Sequence, residues 1–264
     1  TTPLHDLNTV TLAGFNGADQ FLLFTSDQLG GTSPTPVPSV ASGLSSITLL
    51  GGDGLATFGA TPTGLTATGA MDVGLVVSDT TRMIRPSLST AIVIDGGPPS
   101  VALPTGDTIG DVLNLDISAL PETLPVVVAS GTVNIPGAPL AFAPLTWTDI
   151  EDLNLVDDGV LTNVQIGDLF GRMTDANDLV QFSRLNGVNQ VRMRVNHWSG
   201  VYTVPGQTLV YGRGGIDHIT QANLFNPAVF YGEDGNDVLT GASNNDWLVG
   251  GAGNDRISGA EGTN

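Results

Sequence analysis

Apolar positions along this chain fall in short runs broken by Gly, Pro, Asp and Asn, and no long stretch carries the 3.6-residue period of an amphipathic helix. Strands are therefore expected over 46–50, 74–77, 90–94, 112–117, 125–128 and 153–156. A hairpin is expected where 179–185 and 190–195 flank Asn186-Gly187, a dipeptide that marks such turns. In its second arm Val191, Met193 and Val195 alternate with Arg192 and Arg194, one buried face against one wet face. The Pro-rich stretch 33–39 reads as a surface loop. The expected class is all-β, with little helix.

A different rhythm governs the end of the chain. Gly232, Gly241, Gly250 and Gly259 recur with a period of nine, and five residues after each stand Asp237, Asp246, Asp255 and Asn264. Seven after the first three stand Leu239, Leu248 and Ile257. The fourth position is Gly235, Asn244, Gly253 or Gly262, residues that tolerate left-handed backbone. An earlier unit, GRGGIDHIT from Gly212, puts Asp217 and Ile219 in the same places; the eleven residues 221–231 then read as one stretched unit. With two nonapeptides per winding, Asp237 stacks on Asp255, Asp217 joins them, and Asp246 pairs with Asn264 on the opposite side. Upstream, Gly14-Phe-Asn-Gly17-Ala-Asp19-Gln-Phe21 fits the template once, whereas Gly51-Gly-Asp-Gly54 has Ala56 in the Asp position and reads as a plain turn.

Such a pattern suits Ca²⁺, which takes six to eight oxygen ligands from carboxylates and carbonyls. A Gly-rich loop turns several carbonyls inward, and the Asp at its end adds charge. The side-chain ligands expected are Asp217, Asp237, Asp246, Asp255 and, from the isolated match, Asp19. Gly232, Asp234, Gly235, Asn244, Gly250, Ala252 and Gly253 would contribute mainly through carbonyls. The apolar residue two after each Asp forms a short strand, and stacked windings share a continuous core.

Gly250-Gly-Ala-Gly253-Asn-Asp255-Arg-Ile257-Ser matches every fixed position of the repeats-in-toxin nonapeptide, so residues 212–264 resemble that family. The resemblance implies a parallel β-roll, calcium-driven folding and export to a calcium-rich exterior. Asn244 in place of Gly and Asn264 in place of Asp depart from the pattern and weaken that side. The segment AIVIDGGPPS, followed by GDVLNLDIS, resembles very large repetitive bacterial surface proteins. The expected organisation is a β-rich region over residues 1–205, sandwich-like or solenoidal and divisible near 145, followed by a calcium-binding β-roll over 206–264.

Charge narrows the partners. The chain has 26 acidic and 8 basic residues, all eight Arg, for a net charge of −18. It would repel nucleic-acid phosphates and anionic membrane surfaces, so neither is an expected partner, and a cation is. Its 264 residues suffice for one large or two ordinary domains. No cysteine is present, which excludes disulfides, thiolate metal sites and cysteine catalysis. No segment approaches the roughly 18 apolar residues of a membrane span. Starting at Thr1 without a Met or signal-like segment, the sequence is expected to be a processed product, a fragment or part of a longer polypeptide.

Other groups are weaker candidates. Asp149, Glu151, Asp152, Asp157 and Asp158 read as a solvated face, and Asp175 and Asp178 as turn or cap residues. His5, His197 and His218 share no metal-ligand spacing, and no HExxH, GxSxG or P-loop pattern occurs. Most aromatics near strands are expected in the core, while Trp247 occupies an outward position. The expected function is a non-catalytic, calcium-rigidified structural or adhesive module of a secreted or cell-surface bacterial protein. The alternatives are the repeat-bearing portion of a secreted hydrolase and a self-assembling extracellular fibre subunit, the partners then being other copies or neighbouring modules.

Overall fold

A computed structural model of the chain describes residues 9–13, 24–25, 40–41, 46–50, 56–58, 71–73, 84, 86, 91–96, 112–118, 120, 121–137, 144–150, 152–157, 160–165, 167–187, 189–260 and 262. The expected strand at 74–77, the loop at 33–39, the unit around Asp19, the turn at 51–54 and Asn264 lie outside them. Every regular element among the described residues is a strand, which makes the chain all-β, and no helix among them is long and apolar enough to cross a membrane. Residues 1–120 with 140–166 make one compact unit, and 121–139 with 167–264 make another.

In the first unit most of the described strands lie in two largely parallel sheets, while Phe24–Thr25 and Val40–Ala41 pair in a third. Thr9–Ala13, Ser46–Leu50, Ala91–Asp95 and Leu145–Thr148 pair in parallel in one. Met71–Val73, Ala56–Phe58, Val112–Asp116 and Asp152–Asp157 do so in the other, which ends on the antiparallel Val160–Gln165. From Ala91–Asp95 to Asp152–Asp157 the strands of this unit fall in the two sheets by turns, the course of a solenoid. Ile92, Ile94, Leu113, Leu115, Leu153 and Leu155 are buried, and Ile84 bridges to Leu115. In-register stacking also aligns polar side chains. Asn154 Nδ2 donates to Asn114 Oδ1 at 2.9 Å, and Asn163 Nδ2 donates to Asn154 Oδ1 at 3.1 Å. Such a ladder answers the requirement that a buried amide find partners.

The second unit is a parallel β-roll of four windings. One sheet stacks Leu169–Arg172, Thr208–Tyr211, Ala228–Asp234 and Trp247–Ala252 in parallel. The other stacks Leu179–Arg184, His218–Ala222, Val238–Thr240 and Arg256–Ser258. The chain passes from sheet to sheet at each turn. Val180, Ile219, Leu239 and Ile257 align across the second sheet, and Gly171, Val210, Phe230 and Leu248 across the first. Val180, Ile219, Leu239, Val210 and Phe230 are fully buried, so each winding completes the core of its neighbours. Burying such a side chain contributes about 1.5–3 kcal/mol.

Each sheet of the roll is flanked on its first-winding side by an antiparallel hairpin. Val126–Ala129 with Thr132–Asn134 lies beside Leu169–Arg172. Gln190–Val195 with Trp198–Thr203 lies beside Leu179–Arg184. The expected hairpin around Asn186-Gly187 is the antiparallel pair Leu179–Arg184 and Gln190–Val195, with Val191, Met193 and Val195 buried and Arg192 and Arg194 exposed.

Candidate metal-binding turns

The turns of the roll lie on two flanks, and on one of them the sixth-position aspartates form a column. Backbone N–H of Asp237 donates to Asp255 Oδ1 at 2.9 Å, N–H of Asp217 to Asp237 Oδ1 at 2.9 Å, and N–H of Asp178 to Asp217 Oδ1 at 2.8 Å. Each carboxylate thus uses one oxygen to tie down the preceding winding. The column follows from the strand register, because Leu179, His218, Val238 and Arg256, each next to its Asp, are in turn paired.

The second oxygens behave differently. Asp217 Oδ2 and Asp237 Oδ2 are buried and have no hydrogen-bond partner. A buried ionised oxygen left alone is costly, so the turn is complete only with a proton or a cation beside it. Burial, first, and the neighbouring charges of Asp178 and Asp237 raise the Asp217 pKa to about 7 despite the N–H of Asp178, which lowers it.

The main chain provides the other half of a cation cradle. A side chain begun at Gly212 would meet Asp217 Oδ2 and Gly232 O, both at 2.6 Å. One begun at Gly232 would meet Asp237 Oδ2 and, at 2.5 Å, Gly250 O. Glycine at the first position keeps open a space on which a carboxylate oxygen and the next winding's carbonyl converge. At the fourth position Gly235 (φ +152°) and Gly253 (φ +134°) take left-handed backbone, and any Cβ there would strike the fourth-position carbonyl of the preceding winding, Gly215 O or Gly235 O. Among the described residues no three His, Cys, Asp or Glu side chains gather as a metal cluster. The donor set is one carboxylate per turn plus carbonyl oxygens, the hard-oxygen chemistry of Ca²⁺ rather than the imidazole or thiolate chemistry of Zn²⁺.

The sequence pattern missed the head of this column. Met173-Thr-Asp-Ala-Asn-Asp178-Leu-Val180 occupies the same place as the glycine-bearing units, yet has no glycine, and the hairpin separates it from Gly212. The available signal was Asp178 followed two residues later by an apolar Val180. Asp178 is buried, with Oδ2 accepting from Thr174 N at 2.8 Å and Thr174 Oγ1 at 2.7 Å, and Oδ1 accepting from Asn196 Nδ2 at 2.6 Å. Beside it, Arg213 pairs with Asp175 at 3.0 Å and Glu122 at 3.4 Å.

The other flank carries Asp246 and Asn244. Asp246 Oδ1 accepts from Ala228 N and Oδ2 from Ala242 N, each at 2.8 Å. Asn244 Nδ2 donates to Phe225 O, and Asn226 Nδ2 donates to Val204 O at 2.7 Å and Gly206 O at 2.5 Å. Asp234 and Ala252 stand at third positions, where Asp234 N donates to Arg213 O at 2.7 Å and Ala252 O accepts from Gly235 N at 2.8 Å.

A two-sheet parallel roll with an aspartate column and carbonyls converging beside it defines a cation-binding repeat roll. The model of the RTX calcium-binding nonapeptide repeat, in 4 copies, matches residues 231–264. That repeat binds Ca²⁺ and is typical of secreted bacterial proteins. No curated protein matches the chain.

Proposed function

We propose that the roll is a calcium-folded, non-catalytic module of a secreted or cell-surface bacterial protein, with a structural or adhesive role. The observation that carries this reading is the pair of buried, unpartnered oxygens, Asp217 Oδ2 and Asp237 Oδ2, each facing a carbonyl of the next winding. Asp217, Asp237 and Asp255 would supply carboxylate oxygens, with Gly232 and Gly250 supplying carbonyls. Bound Ca²⁺ neutralises these carboxylates and replaces the water they lose on burial. The chain's own residues do the rest: the first- and fourth-position glycines admit the close approach, and the apolar column Val180, Ile219, Leu239 sets the winding spacing.

Since the ligands converge only when the windings are stacked, metal binding and folding of the roll are one equilibrium. Circular dichroism of the full chain in EDTA and then in excess Ca²⁺ tests this. Strand signal should grow on calcium addition, with calorimetry reporting tight binding. Identical spectra and no binding heat would sink the proposal.

A further inference from the structure

The nonapeptide pattern makes every aspartate turn of the roll an equivalent calcium site, but the turns divide into two kinds at their second position. In the Gly212, Gly232 and Gly250 turns the second residue is Arg213 (φ 75°), Glu233 (φ 71°) or Gly251 (φ 100°), all left-handed. In the two of these that are fully enclosed, Asp217 and Asp237 keep an oxygen without a donor. In the other kind the second residue, Thr174 or Ala242, has no positive φ, and its N–H donates at 2.8 Å to the sixth-position carboxylate, Asp178 or Asp246.

These second turns also have substitutes for a bridging cation. In the Asp246 turn, and in the winding before it on the same flank, the fourth position is asparagine, and its amide donates across to the preceding winding's carbonyls: Asn226 to Val204 O and Gly206 O, Asn244 to Phe225 O. At the Asp178 end, Asn196 Nδ2 reaches the carboxylate, and the Arg213 guanidinium sits on Asp175. An amide N–H or a guanidinium meets the same oxygen acceptors that a calcium ion would draw together.

Resting on the calcium-folded reading, we infer that calcium lies between the Asp217, Asp237 and Asp255 windings and that the Asp178 and Asp246 turns take none. The Asp178 and Asp246 turns are closed by the protein's own N–H donors and keep their structure without metal. What sets the closed turns apart is that the second-position N–H reaches the carboxylate of its own turn.

Bound calcium per full-length chain, measured by equilibrium dialysis for the wild type and for Asp237→Asn, Asp246→Asn and Asp178→Asn, is the first test. Asp237→Asn should lose at least one equivalent, while Asp246→Asn and Asp178→Asn should keep the wild-type count. Loss from Asp246→Asn equal to that from Asp237→Asn would overturn the inference and leave the calcium reading standing; a wild type that binds no calcium would defeat both. Hydrogen exchange on the unmutated protein gives a test independent of any variant's folding. In EDTA the amides of Thr174, Ala228 and Ala242 should stay protected while those of Asp217 and Asp237 exchange freely. Equal exchange in both groups would overturn the inference.

Discussion

The backbone N–H of Asp217 donates to Oδ1 of Asp237, one winding further along the chain, at 2.9 Å, while Oδ2 of the same carboxylate meets no donor. One side chain therefore holds the preceding winding with one oxygen and presents the other for a cation. Replacing Asp237 by Ala should remove both functions. The midpoint of the calcium titration followed by circular dichroism should rise at least about tenfold. The orphaned Asp217 N–H should cost about 1–3 kcal/mol in urea unfolding with calcium present. In EDTA the penalty should be smaller, because the substitution also removes a buried like charge from Asp217. Equal penalties in the two conditions would argue against a shared cation.

Gly235 and Gly137 make a matched pair for testing the turn geometry. Both have positive φ, but a Cβ at Gly235 would overlap Gly215 O, whereas one at Gly137 would meet nothing within 4 Å. Gly137→Ala should cost about 1 kcal/mol from backbone strain alone. Gly235→Ala should cost more than that and should also weaken calcium binding, since the windings must part to admit the methyl group. Thermal melts with and without calcium compare the two.

The raised Asp217 pKa sets a pH dependence whose sign differs between the metal-free and loaded protein. With the folded value near 7 and the ordinary carboxyl value at 3.8, the folded state holds the proton that the unfolded state has released. Metal-free stability contributed by this group therefore falls as pH rises from the lower value through the upper one. Calcium binding needs the carboxylate and displaces that proton, so affinity should rise over the same window, roughly tenfold or more from about pH 5.5 to about pH 8. Calorimetric titrations across that range, in buffers of different ionisation heat, would also report proton release. A flat affinity would remove Asp217 from the ligand set.

Core and surface positions of the repeat should separate cleanly. Leu239, at 0 % exposure, should cost about 2–5 kcal/mol when cut to Ala. Trp247, at 63 % exposure, should be nearly neutral as Ala in denaturant unfolding of the calcium-loaded chain.

Much of the roll was legible because its chemistry forces a period. A first-position glycine leaves room for oxygens, a sixth-position aspartate reaches the neighbouring winding, and the residue two further on must be apolar to meet its counterpart. The unit at 212–220 was readable despite the stretched segment after it, since Asp217 and Ile219 keep their separation. The Asp178 turn was not readable, because its carboxylate is satisfied by Thr174 and Asn196 and needs no glycine-lined cradle. Leu169–Arg172 and Thr208–Tyr211 were missed for a related reason: their winding partners are supplied by other parts of the chain, so neither segment carries a local repeat. Nor does sequence reveal the two kinds of turn, which differ by which way one peptide N–H faces.

The two hairpins beside the first winding give the stack a direction. On that side each sheet meets antiparallel strands with their own connections, and an extra parallel winding could not be inserted there without breaking both. Beyond Arg256–Ser258 the same register could accept another pair of nonapeptides with no change to the windings already present. Gene duplication or deletion of a nonapeptide pair within the parallel stack would thus lengthen or shorten the roll one winding at a time.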